Sequence, residues 1–295
     1  EDAARCWGTK GSRLMLTSDT FNWWDSHTAI VADAPSPGVG KLPLLPMPEK
    51  KTAADETHGY PDFAVEVALL DRSLVIRGEK ETTEGHEMIG GHLIVLHTPM
   101  VHQHLEGALL TNMGQQARLG RYPLHFHMSE CVHGSTLAKN VIWKSNQRCI
   151  VIHGTHNVTI DSNVAYDTKG HCFILEDGGE WHNKFLYNLG AKTSSNVLIR
   201  PQETDNRPST FWITNPSNQW IGNVAAGSAG PGFWFELKLR APSSGLGINE
   251  GVNPKILALG AFDDNTAHSN NFRAGITTYE SGYRAPPGTT WNNIK

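Results

Sequence analysis

The sequence lacks the features that would place it in several common classes of protein. No apolar run approaches the roughly 18 residues that a membrane-spanning helix needs, so we expect no membrane contact by this segment. The chain has 25 basic and 29 acidic residues, a net charge of −4, and no run of either sign. A nucleic-acid partner normally requires a basic stripe, so we expect no nucleic acid as a partner.

Cysteine is scarce and is not arranged for a structural metal site. The four cysteines, Cys6, Cys131, Cys149 and Cys172, form no CxxC pair, which argues against a structural zinc site. The start at Glu1 also lacks the charged and apolar regions of a signal peptide. We therefore expect the chain to be mature or to be part of a longer protein.

Long amphipathic helices and tight hairpin signals are nearly absent as well. No segment keeps an apolar period of 3.6 residues over about a dozen positions, which disfavours long helices. Asn-Gly and Asp-Gly pairs between alternating strands are rare, which disfavours the competing β-sandwich and propeller architectures. Charged residues make up 18% of the chain, and there are 29 glycines. This composition is typical of an all-β protein with many turns.

Residues 1–64 do not share the pattern of the rest of the chain. Short strands are predicted at 14–17 and 28–31, and the Pro-rich stretch 34–57 is predicted to be a surface loop. Further on, short apolar runs alternate regularly with Gly, Asn, Asp and Ser. We therefore predict a small β-rich N-terminal segment at 1–64, followed at 65–295 by a second domain that belongs to a longer chain.

A repeat runs through the second half of the chain. NVAY at 163–166 is followed, ten residues after its Asn, by FILE, and NVAA at 223–226 is followed at the same spacing by FWFE. A period in the low twenties with Asn at the corners is typical of a parallel β-helix. Asn suits these corners because it tolerates a left-handed backbone and because its amide forms hydrogen bonds from coil to coil. We therefore predict a right-handed parallel β-helix over 65–295. The repeat also places three aromatic residues in neighbouring coils: Phe173, Phe211 and Phe233.

Several long motifs resemble one family of extracellular proteins. They include HLEG at 104–107, NMGQQ at 112–116, GRYPLHFH at 120–127, CIVIHG at 149–154, GHCF at 170–173, STFW at 209–212 and GFWF at 232–235. The match runs in one order over about residues 60–280. The chain is similar to the β-helix region, following a G8-type domain, of the cell-migration-inducing hyaluronidase, transmembrane hyaluronidase and fibrocystin-like family.

The resemblance implies a large secreted or membrane-anchored protein, located outside the cell or at its surface. It implies a β-helix that continues beyond Lys295. It also implies one of two behaviours, because some relatives depolymerise hyaluronan with help from calcium, whereas fibrocystin-like members act in surface coats and cilia without an established enzyme activity. In such a location the sequon at Asn157 would be a glycan acceptor, making the protein a glycoprotein.

A column of ligand-type side chains is predicted on one face of the β-helix. Aligning the strands on the Asn corners puts His127, His153 and Glu176 on consecutive coils, roughly 5 Å apart. Asp177 and His171 lie at the edge of this column. Two imidazoles and a carboxylate can bind a divalent metal, calcium or zinc, and leave positions open for water or substrate. The predicted metal ligands are accordingly His127, His153 and Glu176.

The same column also suits acid–base catalysis. Glu176 or Asp177 would protonate a glycosidic oxygen, while His127 or His153 orients a group or takes a proton. These four residues are the predicted catalytic set. The alternatives are a polar ladder on the solvent face or buried histidines bonded to backbone carbonyls.

Four residues are candidates for binding substrate. Trp212 and Trp234, one coil apart, could form a platform on which a sugar stacks, although core filling is an equal alternative. Arg121, and with it Arg273, could bind a uronate carboxylate, with structural salt bridges as the alternative.

Two cysteines are predicted to stack in neighbouring coils. Cys149 lies four residues before His153, and Cys172 lies four residues before Glu176. Their Cα atoms should therefore lie within about 7 Å, which a disulfide can span. A ladder of reduced, buried cysteines is the alternative.

The sequence leaves two functions open. The first is an extracellular glycosaminoglycan-processing module resembling hyaluronan-depolymerising hydrolases, whose partner is a hyaluronan-like polysaccharide. The second is a non-catalytic structural or adhesive β-helix segment, whose partners are neighbouring coat-protein chains or glycans. A Trp-lined groove over the histidine column would favour the enzyme, and a closed face would favour the second function.

Overall fold

The computed structural model describes residues 7, 9–33, 42–45, 65–79, 81–82, 88–97, 101–197, 204–238, 241, 251–271, 274–278 and 281–289. Within these ranges no helix is both long and apolar enough to cross a membrane.

The described residues form 26 strands and one short 3-10 turn at Pro254–Ile256. The strands are β1 Arg13–Leu16, β2 His27–Val31, β3 Leu44–Leu45, β4 Val67–Leu69, β5 Leu74–Arg77, β6 Glu81–Thr82, β7 Met88–Ile89, β8 Leu93–Val95, β9 His104–Glu106, β10 Ala108–Thr111, β11 Leu124–Cys131, β12 Thr136–Ala138, β13 Val141–Trp143, β14 Ile150–His156, β15 Thr159–Asp161, β16 Val164–Lys169, β17 Phe173–Leu175, β18 Lys184–Leu186, β19 Leu189–Ser194, β20 Phe211–Ile213, β21 Gln219–Ile221, β22 Val224–Ser228, β23 Phe233–Phe235, β24 Ala261–Asp263, β25 Thr266–His268 and β26 Ile276–Thr277.

Three parallel sheets make up most of the molecule. Sheet I has the order β5-β10-β13-β16-β19-β22-β25, sheet II the order β8-β11-β14-β17-β20-β23-β26, and sheet III the order β9-β12-β15-β18-β21-β24. Each coil runs through sheet III, then sheet I, then sheet II, before it enters the next coil. This is the predicted parallel β-helix, and the right-handed sense is the one that parallel crossover connections adopt.

A four-stranded antiparallel sheet, β3-β2-β1-β4, precedes the coils. Strand β4, at Val67–Leu69, pairs with β1, so parallel pairing begins at Leu74 in β5. This sheet packs against the outward face of sheet I, where Met15 and Leu70 join a buried cluster with Tyr166. The apolar outward residues of sheet I are thereby covered, while sheet II carries the predicted histidine column.

Apolar side chains fill the inside of the coils. Phe173, Phe211 and Phe233 stack in successive coils, with ring centroids 4.9 and 4.5 Å apart. This confirms their predicted placement in neighbouring coils. Phe185 and Trp220 stack in the same way at 4.0 Å. Stacking identical ring positions coil upon coil gives a dry, close-packed interior.

A ladder of buried asparagines marks the corner between sheets III and I. Its members are Asn140, Asn163, Asn188, Asn223 and Asn265. The side-chain amide of each donates to the side-chain oxygen of the next, at 3.0–3.1 Å. The left-handed backbone falls on the residue before each Asn, at Lys139, Ser162, Tyr187, Gly222 and Asp264. The expectation that the Asn itself takes this conformation is wrong here, and the amide ladder accounts for Asn at this position.

A disulfide links two adjacent coils at the start of sheet II strands. Cys149 and Cys172 are bonded, with their Cα atoms 4.5 Å apart. The predicted separation and the register from which it was derived are both confirmed. Both residues are fully buried. The disulfide holds together the starts of β14 and β17, the strands that lead to His153 and Glu176.

Candidate active site on the outward face of sheet II

The predicted column forms because side chains alternate along the strands of sheet II. Phe126 and Ile152 point into the core, so their neighbours His127 and His153 point outward. The two histidines are register partners in β11 and β14. The amide of Glu176 donates to the carbonyl of Ile152 at 3.0 Å, which extends the ladder by one residue. The structure therefore brings His127, His153 and Glu176 together as predicted by the register.

His153 is the centre of the cluster. Its Nδ1 lies 2.9 Å from Nδ1 of His127, and its Nε2 lies 2.8 Å from Oδ2 of Asp177. Oε2 of Glu176 is 3.6 Å from the same Nδ1. The side chains of His153, Glu176 and Asp177 are 17%, 14% and 14% exposed, so the cluster is narrow but open to solvent.

The protonation of the histidine pair follows from these contacts. Burial alone would lower the pKa of His153, but the hydrogen bond to Asp177 and the charges of Glu176, Asp177 and Glu180 together raise it to about 9. Burial and the neighbouring charge of His153 lower the pKa of His127. In this state His153 is an imidazolium that donates one N–H to Asp177 and the other to Nδ1 of neutral His127.

His125 belongs to the cluster although it was not among the predicted site residues. It is buried, and its Nδ1 lies 3.1 Å from the carbonyl oxygen of Gly120. Its Nε2 has no hydrogen-bond partner among the described residues and lies 3.9 Å from Oε2 of Glu176. Burial lowers the pKa of His125 to about 4. The signal in the sequence was the HFH motif, since residues two apart in a strand share a face.

The buried side chain of Arg148 holds Glu176 in position. Nη1 of Arg148 donates to Oε1 of Glu176 at 2.8 Å and to the hydroxyl of Tyr122 at 3.1 Å. Its Nη2 donates to Oδ2 of Asp205 at 3.1 Å. Burial would raise the pKa of Glu176, but the charges of Arg148, His153 and His125 together hold it below its usual range. Glu176 is therefore ionised and is a poor candidate for the predicted role of proton donor.

Glu180 shapes the turn that carries Asp177. Its carboxylate accepts from the backbone amides of Gly154, Asp177 and Gly178, at 2.7–3.1 Å. Burial and the charge of Asp177 raise the pKa of Glu180 to about 7. Gly178 has φ of +90°, and a Cβ there would lie 3.0 Å from the carbonyl oxygen of Thr214. This close approach requires glycine and holds Asp177 against His153.

The two tryptophans that were predicted to bind substrate are buried. Trp212 and Trp234 lie on the outward face of sheet II but are only 6% and 5% exposed, in a cluster with Tyr122, Val151 and Ile174. An open ring face is needed for a sugar to stack, so we do not include them in the site. The alternative role, packing, agrees with their burial.

The remaining predicted side chains lie at the margins. His171 is buried and stacks on Trp212, with ring centroids 4.7 Å apart. Its Nδ1 accepts from the amide of Ser209 at 3.0 Å, so it is a structural histidine. Arg121 is exposed, with Nη1 3.3 Å from Nε2 of His92, and its role in binding a uronate stays a prediction. Arg273 lies outside the described residues.

Comparison with known proteins agrees with this architecture. The CEMIP beta-helix family matches residues 88–276. Cell surface hyaluronidase CEMIP2 of Homo sapiens is 30% identical over 319 residues, which cover 90% of this chain and 23% of that protein. The cell migration-inducing and hyaluronan-binding protein of Homo sapiens is 30% identical, over 94% of this chain and 23% of its own length. A G8 domain-containing protein of Dictyostelium discoideum is 33% identical, with coverages of 95% and 26%. The chain thus spans about a quarter of the length of each relative. Because the family matches residues 88–276, more than half of the chain, this chain belongs to the CEMIP β-helix family.

Proposed function

We propose that this chain is an extracellular or cell-surface module that binds and hydrolyses a hyaluronan-like glycosaminoglycan. The observation that carries the proposal is the cluster of His127, His153, Glu176 and Asp177 on a partly open face of sheet II. Support for the substrate class and the location comes from relatives named as a cell surface hyaluronidase and as a hyaluronan-binding protein.

The cluster divides into a negative and a positive side. Glu176, anchored by Arg148, is the carboxylate that accepts a proton from the attacking water. His127 and His153 form the positive side, and the leaving glycosidic oxygen takes up its proton from this imidazole–imidazolium pair as its bond to the sugar breaks. Asp177 is a positioning residue, because it holds the His153 ring by its Nε2. These roles reverse part of the prediction from sequence, in which Glu176 or Asp177 supplied the proton.

Two substitutions in the full-length protein test this proposal. Glu176→Gln and His153→Ala should each slow depolymerisation of hyaluronan by more than about 100-fold, the lower end of what a general acid or base contributes. Polymer length is followed by light scattering after size-exclusion chromatography, and thermal melts verify folding. The matched control is Glu236→Gln, two coils further along the same column, where the carboxylate is paired with Lys238.

The wild-type protein provides the decisive outcome. If it leaves hyaluronan and related polymers intact, with and without added calcium or zinc, the hydrolase proposal is wrong. Equal loss of activity in the Glu236→Gln control would show that the column acts only through stability.

The second candidate is a non-catalytic adhesive or structural segment. The burial of Trp212 and Trp234 favours it, because no open aromatic groove continues from the cluster over these two described residues. In that case neighbouring coat-protein chains or glycans are the partners. Binding of hyaluronan that is unchanged by Glu176→Gln, without any depolymerisation, would support this function.

A further inference from the structure

We propose that His125, His127 and His153 bind one first-row transition metal ion of the Zn²⁺ type. One nitrogen from each ring is available, and these three atoms all lie within 4.8 Å of one another. The proposal concerns the side chains of the proposed active site, but metal binding is measurable whether or not the site is catalytic.

The unpartnered nitrogen of His125 is the first argument. This side chain is only 3% exposed, and its Nε2 has no hydrogen-bond partner among the described residues. A buried polar atom without a partner is costly and rare, so it calls for a ligand that the protein itself does not supply. The atom faces the cluster, since it lies 3.9 Å from Oε2 of Glu176.

The outer hydrogen bonds of two rings are the second argument. Nδ1 of His125 lies 3.1 Å from the carbonyl oxygen of Gly120, and Nε2 of His153 lies 2.8 Å from Asp177. Each of these outer nitrogens carries a proton. When the ring is neutral, as it is when it binds a metal, the inner nitrogen presents its lone pair to the cluster. Metal-binding histidines are held in this way, with the other N–H donated to a carbonyl or a carboxylate.

The contact between His127 and His153 is the third argument. Their Nδ1 atoms are 2.9 Å apart, and without a metal the N–H of the His153 imidazolium joins them. A metal ion that replaces this proton bonds to both nitrogen lone pairs. Zn²⁺ bonds to imidazole nitrogen at about 2.0–2.1 Å, so two nitrogen ligands of a tetrahedral ion lie about 3.4 Å apart. A pair of nitrogens at the 4.8 Å limit therefore needs to approach by roughly 1.4 Å.

The donor set selects the class of metal. Three imidazoles suit Zn²⁺ and related ions, whereas Ca²⁺ takes six to eight oxygen ligands. Oε2 of Glu176, 3.6 Å from Nδ1 of His153, is available as a fourth ligand or as a base for a bound water. The inference therefore differs from the metal site predicted from sequence, since it adds His125 as a ligand and disfavours calcium.

Direct metal binding tests the inference. Full-length protein without a polyhistidine tag is stripped with a chelator, dialysed against Zn²⁺ and analysed by mass spectrometry for metal content. We expect the wild-type protein to retain one more Zn²⁺ per chain than the His125→Ala variant retains. Substitution of Co²⁺ should give the visible absorption of a four-coordinate nitrogen site, and excess Ca²⁺ should not displace either ion.

Variants assign the ligands. His125→Ala, His127→Ala and His153→Ala should each raise the dissociation constant for Zn²⁺ by more than about 100-fold, because even the outer hydrogen-bond partners of ligands are worth 10–100-fold. The control is His104→Ala, an exposed histidine in sheet III whose ring bonds to Thr136. Thermal melts of the metal-free variants separate loss of ligand from loss of fold.

The outcomes for metal and for catalysis are distinguishable. A wild-type protein that binds no Zn²⁺ beyond the amount bound by the His125→Ala variant overturns the metal site, even if hyaluronan is cleaved. If Zn²⁺ binds as described and hyaluronan stays intact, the metal site stands and the proposed hydrolysis is wrong.

Discussion

At the scale of single residues, the carboxylates of Glu176 and Asp205 both depend on one buried guanidinium. Arg148 is fully buried between Glu176 and Asp205 and donates to both. Its charge offsets the cost of placing two ionised carboxylates in a region of low dielectric constant. The same residue also keeps Glu176 turned towards His153, so the stability of the fold and the geometry of the site share this side chain.

We predict that Arg148→Met destabilises the protein by about 3–5 kcal/mol, the range seen when one partner of a buried ion pair is removed. Methionine keeps most of the volume, so the loss reports the unpaired charges of Glu176 and Asp205. Urea denaturation is the measurement. Lys139→Met, which breaks the exposed pair with Glu106, is the control and should leave the denaturation midpoint unchanged. A midpoint for Arg148→Met equal to that of the control would contradict this account.

The sequence predicted part of the site because part of it follows the repeat. His127, His153 and Glu176 occupy one ladder position in successive coils, so alternation and register were enough to bring them together. Asp205 lies in an insertion that interrupts the repeat between β19 and β20, and no periodicity could place it next to Arg148. His125 shares its face with His127. The carbonyl oxygen of Gly120, outside the repeat, holds its Nδ1, and this orientation leaves Nε2 without a hydrogen-bond partner among the described residues.

At the scale of elements, the asparagine ladder links successive coils independently of the β-sheets. Asn188 accepts from the backbone and side-chain amides of Asn163 and donates to the carbonyl oxygen of Ile160 and to Asn223. All of these polar groups are buried. Leaving a buried donor or acceptor without a partner costs more free energy than a formed hydrogen bond contributes. One side chain therefore satisfies polar groups in both neighbouring coils and links three coils in all.

We predict that Asn188→Ala lowers the free energy of unfolding by roughly 3 kcal/mol or more, because it leaves several buried donors and acceptors unmet at about 1–3 kcal/mol each. Chemical denaturation followed by circular dichroism measures the change. Asn206→Ala, at an exposed position, should alter stability little. If both variants unfold at the same denaturant concentration, the ladder contributes no more than a surface asparagine.

At the scale of the whole molecule, the N-terminal antiparallel sheet is attached to the coils by contacts that are distant in sequence. The hydroxyl of Tyr166 donates to the carbonyl oxygen of Ser26 at 3.1 Å, and His268 meets Glu66 at 2.8 Å. The change from antiparallel to parallel pairing between β4 and β5 could not be read from composition, because Val67–Leu69 and Leu74–Arg77 are both short apolar strands. Only the pairing of β4 with β1 distinguishes them.

The contact between Glu66 and His268 makes this attachment sensitive to acid. Burial would raise the pKa of Glu66, but the hydrogen bond and charge of His268, together with the hydroxyl of Thr17, lower it below its usual value of 4.5. A carboxyl group whose pKa is lower in the folded state stabilises the fold above its unfolded pKa, and this contribution is lost as the pH falls through the folded pKa.

We predict that wild type melts at a higher temperature than Glu66→Gln at pH 6, and that the gap between the two melting temperatures narrows below about pH 4.5. Melting curves of both proteins between pH 6 and pH 3 provide the test, with Asp33→Asn, in an exposed pair with Lys10, as the control that should match wild type throughout. A gap for Glu66→Gln that is as wide at pH 3 as at pH 6 would show that this ion pair does not hold the N-terminal sheet to the β-helix.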